Sequence, residues 1–130
     1  MAQVIFQQLY KRETFTCQSA GTNVRSKHPE ISMKNSNSAQ VCALHGLSLQ
    51  SHTPRQITVQ DLFEYDYIFC MDKANLESVL EMKRKSPPSN CNISLLGKQK
   101  EVKDPYGESL EIYQETFAAI KQMIQEMDFF

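Results

Sequence analysis

Five consecutive apolar residues, Tyr67-Ile68-Phe69-Cys70-Met71, stand between Asp66 and Asp72. A strand with one wet face would alternate apolar and polar residues. An unbroken run of this length suits a central strand of a parallel sheet, buried on both faces. Such a strand needs helices above and below it, joined by crossover connections. This one stretch therefore constrains the fold more than any other feature of the chain.

The flanking sequence fits that demand. Residues 1–10 predict a helix, with Val4, Ile5, Phe6 and Leu9 on one side. Residues 14–19 predict a short strand ended by Ala20-Gly21, and the polar stretch 23–37 with Pro29 predicts a loop. Residues 38–45 predict a helix stopped by Gly46. After loop 51–56, Thr58 is placed to cap a short helix carrying Leu62 and Phe63. Asp72 is placed to cap a helix through Leu76, Val79 and Leu80, which Pro87-Pro88 must end. Residues 93–96 predict a last strand, and Asp104-Pro105-Tyr106-Gly107 a turn. In the final predicted helix, 109–127, Leu110, Tyr113, Phe117, Ile120, Ile124 and Met127 recur at steps of three or four. They form one apolar stripe, and the Met123/Met127 pair reads as core packing. Strands alternating with helices make the expected class α/β, a parallel sheet with helices on both faces. Ligands of such folds bind beyond the carboxyl ends of the strands, here the loops after Ser19, Met71 and Leu96.

With 130 residues the chain fits a single domain over residues 1–130. Lys plus Arg number 14 and Asp plus Glu 15, a balance that gives no electrostatic case for nucleic acid. The basic cluster Lys83-Arg84-Lys85 reads as a solvated helix end, with cations on the negative pole of the dipole. No stretch is long and apolar enough for a membrane span or a signal peptide, so no membrane partner and a cytoplasmic location are expected. Cys17, Cys42, Cys70 and Cys91 are scattered, without zinc spacing, and are expected as reduced and mostly buried thiols. No metal and no cofactor is implied.

The stretch CQSAGTNVRS, residues 17–26, has the look of a phosphate-gripping loop. A cysteine phosphatase needs a thiolate beneath phosphorus and a ring of donors around three oxygens. Five residues between Cys and Arg aim the backbone N–H groups inward, and the Arg closes the ring with two parallel hydrogen bonds. Seven residues separate Cys17 from Arg25, which would splay that ring. Pro29 also argues against a helix starting at Ser26. Cys17 reads as part of a strand instead.

Five fragments stand in one order along the chain. They are Ser19-Ala20-Gly21-Thr22, the run SHTPRQIT from Ser51 to Thr58, the run YDYIFCMD from Tyr65 to Asp72 with Asn75-Leu76, Leu95-Leu96-Gly97, and Asp104-Pro105-Tyr106-Gly107. Together the chain resembles the low-molecular-weight protein tyrosine phosphatases, from Met1 to the final helix. The resemblance implies a flavodoxin-like three-layer sandwich with a parallel sheet in the order two-one-three-four. It implies hydrolysis of phosphotyrosine through a cysteinyl-phosphate, on a phosphotyrosine protein or a small aryl phosphate. Met1-Ala2-Gln3-Val4-Ile5-Phe6 looks like the piece directly after the family's catalytic loop. The expectation is thus a truncated chain, lacking the central first strand and the loop with its nucleophile and phosphate-binding Arg.

What remains is half a mechanism. Asp104 matches the family's general acid, Tyr106 an aromatic lining the substrate cleft, and His52 a histidine that hydrogen-bonds beneath the phosphate loop. Asn23-Val24-Arg25-Ser26-Lys27 lacks the aromatic that family members usually carry there. The related arsenate reductases need further redox cysteines just after the strand at 67–71, which Cys70 and Cys91 do not supply. The expectation is a family member inactive as a 130-residue chain; the alternative is a pseudophosphatase, a non-catalytic module with a protein partner.

Overall fold

The computed structural model describes residues 1–10, 15–22, 37–48, 55–103, 105 and 107–127. The elements are α1 (Ala2–Leu9), α2 (Asn37–Leu44), α3 (Asp61–Glu64), β1 (Tyr67–Cys70), α4 (Lys73–Arg84), β2 (Asn92–Leu95) and α5 (Leu110–Gln125). Among the described residues the sheet holds two strands, β1 and β2, paired parallel with Ile68 opposite Ile93 and Cys70 opposite Leu95.

The alternation of strand side chains divides the core into two layers. Ile68, Cys70, Ile93 and Leu95 face one way and pack with Ile57, Leu62, Leu76, Val79 and Met82. Phe69, Met71 and Leu96 pack with Ile5, Val41, Cys42, Tyr113, Phe117, Ile120 and Ile124 on the other side. Thus α4 covers one face of the sheet, while α1, α2 and α5 cover the other. That is the expected helix–sheet–helix arrangement.

The helix ends follow local chemistry. Asp72 accepts from the Asn75 N–H at 2.8 Å and opens α4. Ser109 accepts from the Ile112 N–H and opens α5. At the end of α2, Gly46 takes φ +75°, Gly46 N–H donates to the Ala43 carbonyl and Leu47 N–H to that of Cys42. This is a Schellman turn, which a residue with a Cβ would strain. Tyr113, Phe117, Ile120 and Ile124 are the buried stripe of α5, and Met123 and Met127 pack against the same core.

Several expectations are corrected. Residues 15–20 carry no strand; a single parallel bridge joins Gly21 to Gln56. A strand exists only through its neighbours, and in this segment side chains of α1 supply bonds instead. Gln7 Nε2 donates to the Cys17 carbonyl at 3.2 Å, and Ser19 Oγ to Gln3 Oε1 at 2.6 Å. Thr58 does not cap α3. The roles are reversed: the Asp61 carboxylate accepts from the Thr58 N–H at 2.9 Å. Of the apolar residues on these helices, Phe63 and Leu80 are exposed, because α3 and α4 each turn only one narrow face to the core. The β1 run is less buried than its composition suggests, with Tyr67 exposed and Cys70 buried. Most of the loop expected at 23–37 lies outside the described residues, and Asn37 already belongs to α2.

Candidate functional site

The side chains matched to a site, His52, Asp104 and Tyr106, all lie outside the described residues. What the structure shows is the segments beside them in sequence, 55–61, 97–103 and 107–109, and their contacts.

The first part of the frame holds the segment after His52. Arg55 donates to Asp61 through Nη1 at 3.0 Å and Nη2 at 3.2 Å, a forked pair on one carboxylate. Asp61 is 6% exposed and is the buried charged residue among those described. Burial pushes its carboxyl upward, but the Arg55 bonds and the Thr58 N–H outweigh this and hold it below the ordinary carboxylate value. The Arg55 guanidinium is raised in turn by the same hydrogen bond. The clasp lies beside two backbone bonds: Gly21 N–H donates to the Arg55 carbonyl at 2.8 Å, and Ile57 N–H to the Gly21 carbonyl at 2.9 Å. Ser19-Ala20-Gly21-Thr22 is thereby joined to the segment that follows His52.

The second part lies at the end of β1. Thr22 Oγ1 donates to Asn75 Oδ1 at 3.0 Å, and Gln56 Nε2 to the Thr22 carbonyl at 2.8 Å. The fragments around residues 22, 56 and 75 therefore meet in space, as their shared register implies.

The third part is the segment 97–103, which precedes Asp104 in sequence. After β2 the chain folds back at Gly97–Lys100, with Lys98 at φ 63°. Gly97 is required by close approach: a Cβ there would lie 2.7 Å from the Lys100 carbonyl oxygen and 2.8 Å from Met123 Cε. Val102 N–H then donates to the Met71 carbonyl at 2.6 Å, and Glu101 accepts from the Lys73 N–H at 2.7 Å. Glu101 thus reaches the first turn of α4 from 28 positions along the chain. Past Pro105, Gly107 takes φ +83° and Glu108 N–H donates to the Pro105 carbonyl. A hollow of about 190 Å³ beside this turn is lined by Lys103, Pro105, Glu108, Ile112 and Thr116.

Sequence reasoning did not single out Asp61 or Glu101. The partner of Asp61, Arg55, lies six positions back in a stretch read as loop. Glu101 had no local signal, since its partner is far along the chain.

Thiol chemistry is the other test of the site. Cys42, Cys70 and Cys91 are buried and Cys17 is half-buried, all as free thiols. Burial pushes Cys17 up to about 11, and burial with the nearby Asp72 charge does the same to Cys70. Cys42 and Cys91 are also raised by burial. A nucleophilic cysteine is shifted the opposite way, toward thiolate at neutral pH.

Known proteins agree with this frame. Residues 1–128 match the family model described as low molecular weight phosphotyrosine protein phosphatase. The chain is 30% identical over 111 residues to the low molecular weight protein-tyrosine-phosphatase Etp of Escherichia coli K12, covering 83% of this chain and 70% of that protein. It is 39% identical over 67 residues to the human low molecular weight phosphotyrosine protein phosphatase, covering 48% of this chain and 42% of the human one. Among solved structures, a low molecular weight phosphotyrosine phosphatase of Vibrio cholerae O395 superposes with a TM-score of 0.80 at 28% identity, over 95% of this chain and 82% of that one. The T. tengcongensis enzyme gives a TM-score of 0.82 at 22% identity, over 95% and 84% of the two chains. On the match across residues 1–128 and the similarity to Etp, the chain belongs to the low molecular weight phosphotyrosine protein phosphatase family.

Proposed function

We propose that these 130 residues form a low-molecular-weight phosphatase-like protein without turnover on phosphate monoesters. One observation carries the reading: none of the four cysteines has an Arg six positions on, and all four thiols are pushed upward. The relatives are named as phosphatases of protein tyrosine or phosphotyrosine, and the substrate class of this reading is a phosphotyrosine protein or a small aryl phosphate. Their reaction needs a thiolate to displace the phenolic oxygen and donors to hold the phosphoryl group. In a triad hydrolase, loss of the nucleophile costs on the order of a million-fold in rate. Each lost oxyanion donor costs roughly a hundred- to thousand-fold more. Asp104, as general acid, would contribute about a hundred- to ten-thousand-fold, and only to a displacement already under way. Tyr106 would line the cleft, and His52 would be the histidine that hydrogen-bonds beneath a phosphate loop. The free thiols fit a reducing, cytoplasmic setting.

The test is an aryl-phosphate assay on the purified chain, paired with alkylation by iodoacetamide across pH. No release above the blank is expected. Cys17 modification should rise about tenfold per pH unit up to its value near 11. Turnover that survives Cys17→Ser, or alkylation that levels off below pH 8, overturns the reading.

A second reading is a pseudophosphatase that binds a protein partner, favoured by the same lack of a Cys–five residues–Arg spacing at any of the four cysteines. The coding sequence upstream of Met1 separates the two. In-frame codons for an apolar strand followed by Cys, five residues and Arg would make the chain a shortened enzyme and sink the module reading.

A further inference from the structure

The end of α4 holds a feature that neither the core nor the frame of the site uses. Lys83 and Arg84 close the helix, Lys85 caps it, and Ser86-Pro87-Pro88-Ser89 follows. Arg84 and Lys85 lie exposed against Glu81. Ser86 N–H donates to the Lys83 carbonyl at 3.1 Å, and Ser86 Oγ donates to the Met82 carbonyl at 2.6 Å. Pro87 and Pro88 are exposed.

We propose that Ser86 is a phosphoryl-acceptor site for a proline-directed serine/threonine kinase. Its substrate cleft would offer acidic groups to the exposed Arg84 and Lys85 and a slot for Pro87. A kinase must take the acceptor in extended form. A residue before proline is already biased that way, and Pro87 has no N–H to return to the helix. Two hydrogen bonds hold Ser86, and both must break for it to enter the cleft. No other described serine precedes a proline. Ser78 lies inside α4, Ser94 in β2, and Ser109 caps α5. Ser89 Oγ is buried. Thr53-Pro54, the other hydroxyl–proline pair, lies outside the described residues.

In the transfer, Ser86 Oγ attacks the γ-phosphorus of a nucleoside triphosphate. The Oγ–P bond forms and the bond to the β,γ-bridging oxygen breaks. The nucleoside diphosphate leaves with that electron pair, and the hydroxyl proton passes to a carboxylate of the kinase. The product has a local consequence. The phosphorylated Oγ has no proton for the Met82 carbonyl, and it places about −1.5 to −2 charges at the negative end of a helix dipole. Lys83, three positions back, now donates to the Cys91 carbonyl at 3.0 Å. Drawn toward the phosphate, it releases the tie between the end of α4 and the start of β2.

The experiment incubates the chain with Mg-ATP and a proline-directed serine/threonine kinase, and maps the product by mass spectrometry. One phosphate on Ser86 is expected, abolished in Ser86→Ala, weakened in Pro87→Ala and unchanged in Ser89→Ala. Amide exchange over residues 83–86 should quicken about fivefold in the phosphorylated chain, the factor for one lost hydrogen bond of about 1 kcal/mol. No incorporation into a chain with native circular dichroism, or phosphate on Thr53 or Ser89 with Ser86 unmodified, overturns the proposal. Unchanged exchange over 83–86 overturns the release at the helix end.

Discussion

Removing the Asp61 carboxylate tests how the frame of the site is held. In Asp61→Ala the Thr58 N–H loses its acceptor and Arg55 its partner. A hydrogen bond from a buried N–H to a charged group contributes about 1.5 kcal/mol or more. The Arg55 side chain is 37% exposed, so solvent screening holds the ion pair to about 0.5 kcal/mol. Together the loss is about 2 kcal/mol, a fall in Tm of roughly 6–12 °C for a chain of this size. The pH dependence identifies the source. The folded carboxyl lies below its ordinary value, so its contribution is complete above about pH 4 and is lost as pH falls through the folded value. Urea unfolding of wild type and Asp61→Ala from pH 7 to pH 3 is the assay. The two stabilities should differ at pH 7 and converge at the acid end. A difference below about 0.5 kcal/mol at pH 7, within the range of ordinary surface substitutions, would refute the reasoning. So would a difference that stays constant down to pH 3.

Two further substitutions probe the packing. Gly97→Ala drives a Cβ into the Lys100 carbonyl oxygen and Met123. It should lower the urea midpoint by the equivalent of about 1–3 kcal/mol with an unchanged slope, and a neutral result would contradict the close approach. Phe117→Ala empties the centre of α5, where Phe117 is 2% exposed and stacks on His45 at 4.1 Å. It should cost about 3–5 kcal/mol, against about 0.5 kcal/mol or less for exposed Phe63→Ala, and thermal melts of the pair give the ratio.

Much of this architecture is legible where a residue and its partner lie within a turn of each other. The stripe of α5 follows from spacing, the start of α4 from Asp72, and the stop of α2 from Gly46. The run at 67–71 identified a strand, and its pairing with 92–95 is parallel. The expected strand at 14–19 failed for the opposite reason, since a ladder needs a neighbour and β-propensity does not supply one. The Thr58 reading failed because a cap motif can run in either direction, and the buried charge at Asp61 decided which. For the site, the sequence yields the register that assigns Asp104, Tyr106 and His52, residues outside the described part of the structure.

The sequence by itself determined the class of fold, the presence of its main helices and the family, because these rest on periodicity, local capping and fragments in fixed order. Only the tertiary structure decided that Asp61 clasps Arg55, that Glu101 crosses to α4, and that α1 reaches residues 17 and 19 through two glutamines. It also decided that burial pushes the Cys17 and Cys70 thiols upward. Each of these depends on which distant groups share a low-dielectric space, and that is settled when the layers pack.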